Sequence, residues 1–348
     1  MQTPQTTDHR VCPTTIFLLL LALPAALAIL QGCGSNKLFY PVKVQSHYGY
    51  INYKGDLSIP PKYPNVQRYS EGFAPVQRDD GSLAYLDLKG EEREITDDYG
   101  EPEKLDIISD GMARVVIDGL VGYVDKQLKW AIEPQFSHAG RFSEGLAAIL
   151  DIDQQRAWYI DKKGLKVFSL ENVHSVGPMQ GGFAYFIRDE RFGIIDREGK
   201  VTREPSFLFL ASADPISGLA RALDDKTELY GFVNRDGSWI VSPRYPNAGD
   251  FSNGLAAVML RHKNRYGYID THGGLRVPGQ YLAAGSFHEG FAWVRTDKGL
   301  RYIDKDGAWL SPLIFTYAYD FYEGLAAAGR GENNLYINTN GKVTWSNR

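Results

Sequence analysis

The sequence predicts an all-β chain built from tandem repeats of about 36 residues. Three observations carry this. One tyrosine-like position recurs at Tyr50, Tyr85, Tyr123, Tyr159, Ile194, Phe232, Tyr268, Tyr302 and Tyr336, in steps of 35, 38, 36, 35, 38, 36, 34 and 34 residues. A glycine before an apolar-Ala pair recurs in the same register, at Gly72, Gly111, Gly145, Gly182, Gly218, Gly254, Gly290 and Gly324. A fixed period of this size is the signature of a repeat array. The third observation is negative: outside the leader, no segment shows a long apolar period of 3.6 residues.

Each unit then reads element by element. A short apolar strand opens it, as at 73–76, 255–259 and 291–294. A polar turn follows, as at 78–81 or 296–299, and then an aromatic and β-branched strand, as at 48–51, 266–269 and 301–303. Asp-x-x-Gly closes that strand at Asp87, Asp161, Asp196, Asp270 and Asp304. Glycine supplies the left-handed conformation of a tight hairpin, and the Asp side chain bonds the turn backbone. A third strand ends at a proline, which cannot donate to a ladder: Pro60, Pro134, Pro205, Pro243, Pro278 and Pro312. About ten residues then lead to the next unit. Gly145, Gly254 and Gly290 are expected at positive φ.

The motifs Gly49-Tyr50-Ile51-Asn52, Gly267-Tyr268-Ile269-Asp270 and Phe142-Ser143-Glu144-Gly145-Leu146-Ala147 resemble the WG-repeat (KWG-repeat) family. The resemblance covers about residues 39–348. The name-giving Trp is replaced by Tyr48, Val121, Phe192, Tyr230 and Tyr266, and the following Gly by Ala84, Trp158, Arg301 and Leu335 in four units. The resemblance implies binding or scaffolding rather than a single chemistry.

Two architectures are open: an open solenoid or superhelical array of stacked units, and a closed β-propeller-like ring. Three strands per unit and a ragged end favour the open array. The expected organisation is a leader over 1–32, a short tether over 33–38, and a repeat domain over 39–348. That domain is read as eight units and a partial ninth over 325–348. The charged stretch 91–107 is expected to be a solvated loop.

The leader contains an uncharged apolar run, Ile16 to Leu30, with the length of a signal-peptide core. It ends in Leu30-Gln31-Gly32-Cys33, which resembles a bacterial lipobox. That resemblance implies cleavage before Cys33 and lipid attachment to it. With Gly34 next, it also implies an outer-membrane address facing the periplasm. The alternatives are plain secretion with an unpaired Cys33, or an uncleaved anchor. Only Cys12 and Cys33 exist, so the repeat domain is expected to hold without a disulfide.

Composition is that of an ordinary globular chain: 43% hydrophobic, 23% charged, net charge −4. A mildly acidic chain without basic clusters is a poor partner for nucleic acid. The expected partner is an envelope protein or polysaccharide, and the expected assembly a monomer.

No catalytic, cofactor or metal site is expected. The seven histidines (His9, His47, His138, His174, His262, His272, His288) have no HxxxH spacing and share no repeat position. The turn aspartates lack the further oxygen ligands of a calcium loop. Glu71, Glu144, Glu289 and Glu323 recur before Gly and read as a loop position wanting polarity. The Tyr/Phe stripe reads as core rather than as a sugar or peptide platform.

Overall fold

A computed structural model describes residues 39–95 and 99–347. The expectations for the leader, for Cys33 and for the tether lie outside these residues. The described chain is all-β, with 31 strands, all pairings antiparallel, and no helix.

The first units set the pattern. Strands β1 (Phe39–Val44), β2 (His47–Asn52) and β3 (Leu57–Tyr63) form an antiparallel meander. The chain then crosses to the next unit as β4 (Asn65–Val66), which pairs along the near edge of β5 (Phe73–Gln77). Strands β6 (Leu83–Asp87) and β7 (Glu92–Arg93) complete that sheet, in the order β4-β5-β6-β7. Each later unit repeats this scheme: an inner segment, two long strands, and, in most, an outer strand. Eight sheets result, because one seven-stranded sheet spans two units through the long strand Val201–Leu210. Counted by the tyrosine position there are nine units. The stretch expected to be a partial ninth unit, residues 325–348, holds strands Leu325–Arg330, Asn333–Asn338 and Val343–Ser346. It is the same three-strand meander as the others, preceded by its own inner segment Tyr317–Ala318.

The turns follow from backbone chemistry. Ser70 and Phe73 close a two-residue hairpin in which both Glu71 (φ 51°) and Gly72 (φ 96°) are left-handed. Two successive positive φ values define the hairpin turn that matches strand twist. Gly145, Gly254 and Gly290 have φ of 83°, 85° and 87°, as expected. At the other turn, Asp87 Oδ1 accepts from the N–H groups of Lys89 (2.8 Å) and Glu91 (3.0 Å). Asp125, Asp161, Asp196, Asp270 and Asp304 repeat this pair of bonds. A side chain so engaged serves the turn.

The core lies between neighbouring sheets. The recurring tyrosines Tyr50, Tyr85, Tyr123, Tyr159, Tyr268 and Tyr302 are all fully buried. Burial pushes their phenols far above the ordinary value, so they remain donors. Each phenol donates to a backbone carbonyl of the next unit: Tyr50 to Gln67, Tyr85 to Asp106, Tyr123 to Gly140, Tyr159 to Gly177, Tyr268 to Gly285 and Tyr302 to Tyr319, at 2.6–2.8 Å. The tyrosine stripe is therefore the glue between units.

The last unit also touches the first two. Tyr336 donates to the Pro41 carbonyl (2.8 Å), and Tyr322 to the Tyr69 carbonyl (3.0 Å). Tyr40, Val42, Ile51 and Leu325 form one buried cluster with Tyr336 and Trp345 packed against it. These contacts join the two ends of the described repeat domain. Counting strands per unit missed the inner segments, each only about two residues long.

Candidate binding groove

The register separates residues that build the fold from residues that decorate it. On the first long strand of every unit after the first, an alanine faces the preceding unit: Ala74, Ala113, Ala147, Ala184, Ala220, Ala256, Ala292 and Ala326, all buried. The next residue is not repeated. It is Pro41, Pro75, Arg114, Ala148, Tyr185, Arg221, Ala257, Trp293 and Ala327 in successive units. From the second unit on, its carbonyl accepts an N–H from the adjacent inner segment, as Pro75 does from Gln67 and Trp293 from Gly285. Where it is large it fills the space over that segment: a Cβ on Gly285 would meet the Trp293 ring at 2.3 Å, and one on Gly177 would meet Tyr185 at 2.4 Å. Where it is Ala148, opposite Gly140, the space stays open.

A cavity of about 500 Å³ results, across the third, fourth and fifth units. Ala139, Gly140, Ala148, Leu150, Val176 and Pro178 give it an apolar floor, and Arg114, Arg141 and His138 line it as well. Asp106, with a side chain 5% exposed, organises the cations. Its Oδ2 accepts from Arg114 Nη2 (2.9 Å) and from Arg141 Nε (2.9 Å), while Oδ1 accepts from Arg141 Nη2. Arg114 also donates to the Ala139 carbonyl. Burial works to raise the Asp106 carboxyl, but the Arg141 and Arg114 cations outweigh it and hold it below the ordinary range. One carboxylate faces two guanidinium groups, so the groove carries a net positive charge.

This staple has a pH signature. A carboxyl lowered in the folded state adds stability above its unfolded value, and that stability is lost as pH falls through the folded value. Asp106→Asn is expected to cost about 1–3 kcal/mol at neutral pH, by leaving two partly buried cations short of a partner. The difference from the parent should vanish in acid. Denaturant melts of both proteins across pH check this; a difference independent of pH would mean that the ion pair is not the cause.

The other sequence candidates are placed as follows. Glu71, Asp110, Glu144, Asn253 and Glu289 do more than provide loop polarity, since the side chain of each reaches the next unit; at Glu323 it is the main-chain carbonyl that accepts, from Tyr40. Glu71 accepts from the Gly111 N–H (3.2 Å) and pairs with Lys126 (2.7 Å). Asp110 accepts from Gly145 and pairs with Lys162 (2.8 Å), and Glu144 accepts from Gly181 (2.7 Å) and Gly182 (3.1 Å), with Arg197 at 3.5 Å. Asn253 to Gly290 (3.0 Å) and Glu289 to Gly324 (2.7 Å) continue the ladder without the cation. A signal was present in the sequence: a base follows the turn aspartate one period after each of the first three acids, at Lys126, Lys162 and Arg197. His47 meets Asp79 (2.9 Å) and His288 meets Asp320 (3.5 Å). Burial raises the Asp320 carboxyl against the pull of His288. Among the described residues, no three His, Cys, Asp or Glu side chains are grouped to hold a metal. The Asp106 staple left no sequence signal, because none of its three residues occupies a recurring motif position.

Comparison with known proteins agrees with this architecture. The family described as WG containing repeat matches residues 48–81, 122–150, 230–263, 266–299 and 301–332. No curated protein matches the chain. Among solved structures, one titled as the eukaryotic initiation factor aligns with a TM-score of 0.64 at 9% identity, over 90% of this chain and 96% of that one. That likeness concerns the fold alone. A computationally designed protein, Ika8 (TM-score 0.44, 12% identity, 79% and 93% covered), and BamB from Moraxella catarrhalis (0.35, 10%, 88% and 93%) resemble it too loosely to carry an argument.

Proposed function

The chain is a WG-repeat protein, and on that premise we propose that it is a non-enzymatic binding module closed into a ring and held at the cell envelope by a lipid on Cys33. The observation that carries the binding reading is the division of labour along the repeat. Recurring residues are spent on turns and inter-unit bonds, while unrepeated ones (Arg114, His138, Arg141) line the groove. A cavity with an apolar floor and a few convergent polar groups is the usual form of a ligand site. The net positive charge of the staple favours an acidic partner, either an envelope protein segment or an acidic polysaccharide. The protein acts as a monomer.

The test uses His138→Cys carrying a photo-crosslinker, on the rim of the groove. A binding module gives one or a few discrete adducts in envelope preparations, and Arg141→Glu removes them. A broad ladder of adducts, or adducts indifferent to Arg141, would instead favour a structural scaffold.

The anchoring reading rests on the Leu30-Gln31-Gly32-Cys33 motif. Two or more acyl chains hold a protein stably where one is marginal. Cys33→Ser is expected to move the protein from the membrane fraction to the soluble fraction with its melting curve unchanged. A Ser variant that still sediments with membranes would remove the lipid from the proposal.

A further inference from the structure

The groove has a counterpart elsewhere in the repeat, and the two differ in charge. Between the sixth and seventh units, Ala248-Gly249-Asp250-Phe251 stands where Ala139-Gly140-Arg141-Phe142 stands between the third and fourth. Arg221 takes the place of Arg114: its Nη1 donates to the Ala248 carbonyl (2.8 Å), as Arg114 Nη1 donates to the Ala139 carbonyl. Arg221 Nε donates to Asp250 (2.8 Å), and its guanidinium lies over the rings of Phe209 (5.0 Å) and Tyr230 (5.3 Å). One cation there meets one anion, so the charge is balanced inside the protein. In the groove the anion is Asp106, and Arg141 holds the position of Asp250. Two cations share one carboxylate, and one positive charge is left over.

The surplus charge is oriented. Asp106 is held by its own backbone: its N–H donates to the Arg114 carbonyl (3.0 Å), and its carbonyl accepts from the Tyr85 phenol (2.7 Å). Its carboxylate engages Arg141 side-on, through Nε and Nη2. A guanidinium has five N–H donors, and this engagement uses one on Nε and one on Nη2. The second Nη2 hydrogen and both on Nη1 meet no acceptor among the described residues. Together they form the end-on face of the fork, which matches the two oxygens of a carboxylate. The Arg141 side chain is 49% exposed, so this face is open to an incoming group. Arg114 spends both of its Nη atoms on Ala139 and Asp106.

We propose that the groove takes the C-terminal residue of a partner protein, its carboxylate on the end-on face of Arg141 and an aliphatic side chain on the floor of Ala148, Leu150 and Val176; this rests on the binding reading above. Charge argues against a phosphate. A carboxylate neutralises the single surplus charge, whereas a phosphate group carries nearly twice that and overshoots it. The apolar floor argues against a polysaccharide, whose hydroxyls would be buried there without partners. Size argues for a chain end. The cavity of about 500 Å³ lies in the lower half of the range for small-ligand sites, roughly 300–1,000 Å³. A terminal residue also carries its carboxylate and its side chain on one carbon, so it meets the fork and the floor together.

The experiment titrates the full chain by calorimetry with the peptide acetyl-Ala-Ala-Leu, as the free acid and as the C-terminal amide. The amide should bind about tenfold more weakly, the loss expected for one charge-assisted hydrogen bond. Arg141→Gln should remove the difference between acid and amide. Ala148→Trp should abolish binding of the acid with the melting curve in place, because Trp293 already stands at that position over Gly285 in the eighth unit. Equal binding of acid and amide overturns the proposal. So does an acid–amide difference that survives Arg141→Gln, or binding that survives Ala148→Trp. Hexanoate binding as tightly as the peptide overturns the assignment to a protein chain end. The His138 crosslinks separate this inference from the reading beneath it. Arg141-dependent adducts that persist in saturating acid peptide overturn the chain-end proposal alone. No Arg141-dependent adducts at all removes the binding reading, and this proposal with it.

Discussion

Deleting residues 325–348 is expected to leave an insoluble or non-cooperatively unfolding protein, not a repeat domain trimmed by one unit. The deletion removes Leu325, Ala326, Ala328, Leu335 and Ile337, all buried. It exposes two faces at once. On one side Tyr302, Phe315 and Phe321 lose their cover; on the other, Tyr40, Val42 and Ile51 lose Leu325, Tyr336 and Trp345. Each large apolar side chain returned to water costs roughly 1.5–3 kcal/mol, and the total rivals the 5–15 kcal/mol that holds a typical protein together. The two uncovered sheet edges are also templates for aggregation. Solubility after expression and a circular-dichroism melt of the 33–324 fragment decide the matter. A soluble fragment with a cooperative melt and a slightly lower midpoint would show that the units are additive, as in an open array.

Tyr268→Ala is expected to be the most damaging single substitution away from the seam, at about 3–5 kcal/mol. The side chain is fully buried, packs edge-on against Phe287 at 4.7 Å and donates to the Gly285 carbonyl at 2.8 Å. Truncation therefore opens a ring-sized cavity between the seventh and eighth units and strands a carbonyl. Tyr268→Phe separates the two effects. It keeps the ring and loses only the bond, for about 1 kcal/mol. Chemical denaturation of both variants measures the split. If Phe costs as much as Ala, the hydroxyl is the main link and the cavity argument fails.

Much of this fold could be read in the residues. The turn aspartates, the glycines at positive φ and the buried tyrosines all sit where a strict period placed them, because turns and inter-unit packing recur in every unit. What could not be read is whatever occurs once. Tyr40 in an alanine position and Tyr322 in a serine position looked like scatter in the repeat; in three dimensions they make contacts between the two ends of the described chain. The inner segments escaped because two residues of strand, such as Asn65–Val66, carry no periodicity. The groove escaped for a related reason. Asp106, Arg114 and Arg141 come from two successive units and meet only after packing, and the space they border is lined by Ala148 at a variable position.

The seam gives folding a preferred order of events. Every other inter-unit bond joins residues close in sequence, so units can form and dock one after another at small entropic cost. The contacts of Tyr336 with Pro41 and of Tyr322 with Tyr69 join opposite ends of the repeat domain. Their loop is the longest in the molecule, and the cost of closing it must be met before those contacts repay it. These end-to-end contacts are therefore expected to form last. Until the C-terminal strands are in place, Tyr40, Val42 and Ile51 lack the cover of Leu325, Tyr336 and Trp345.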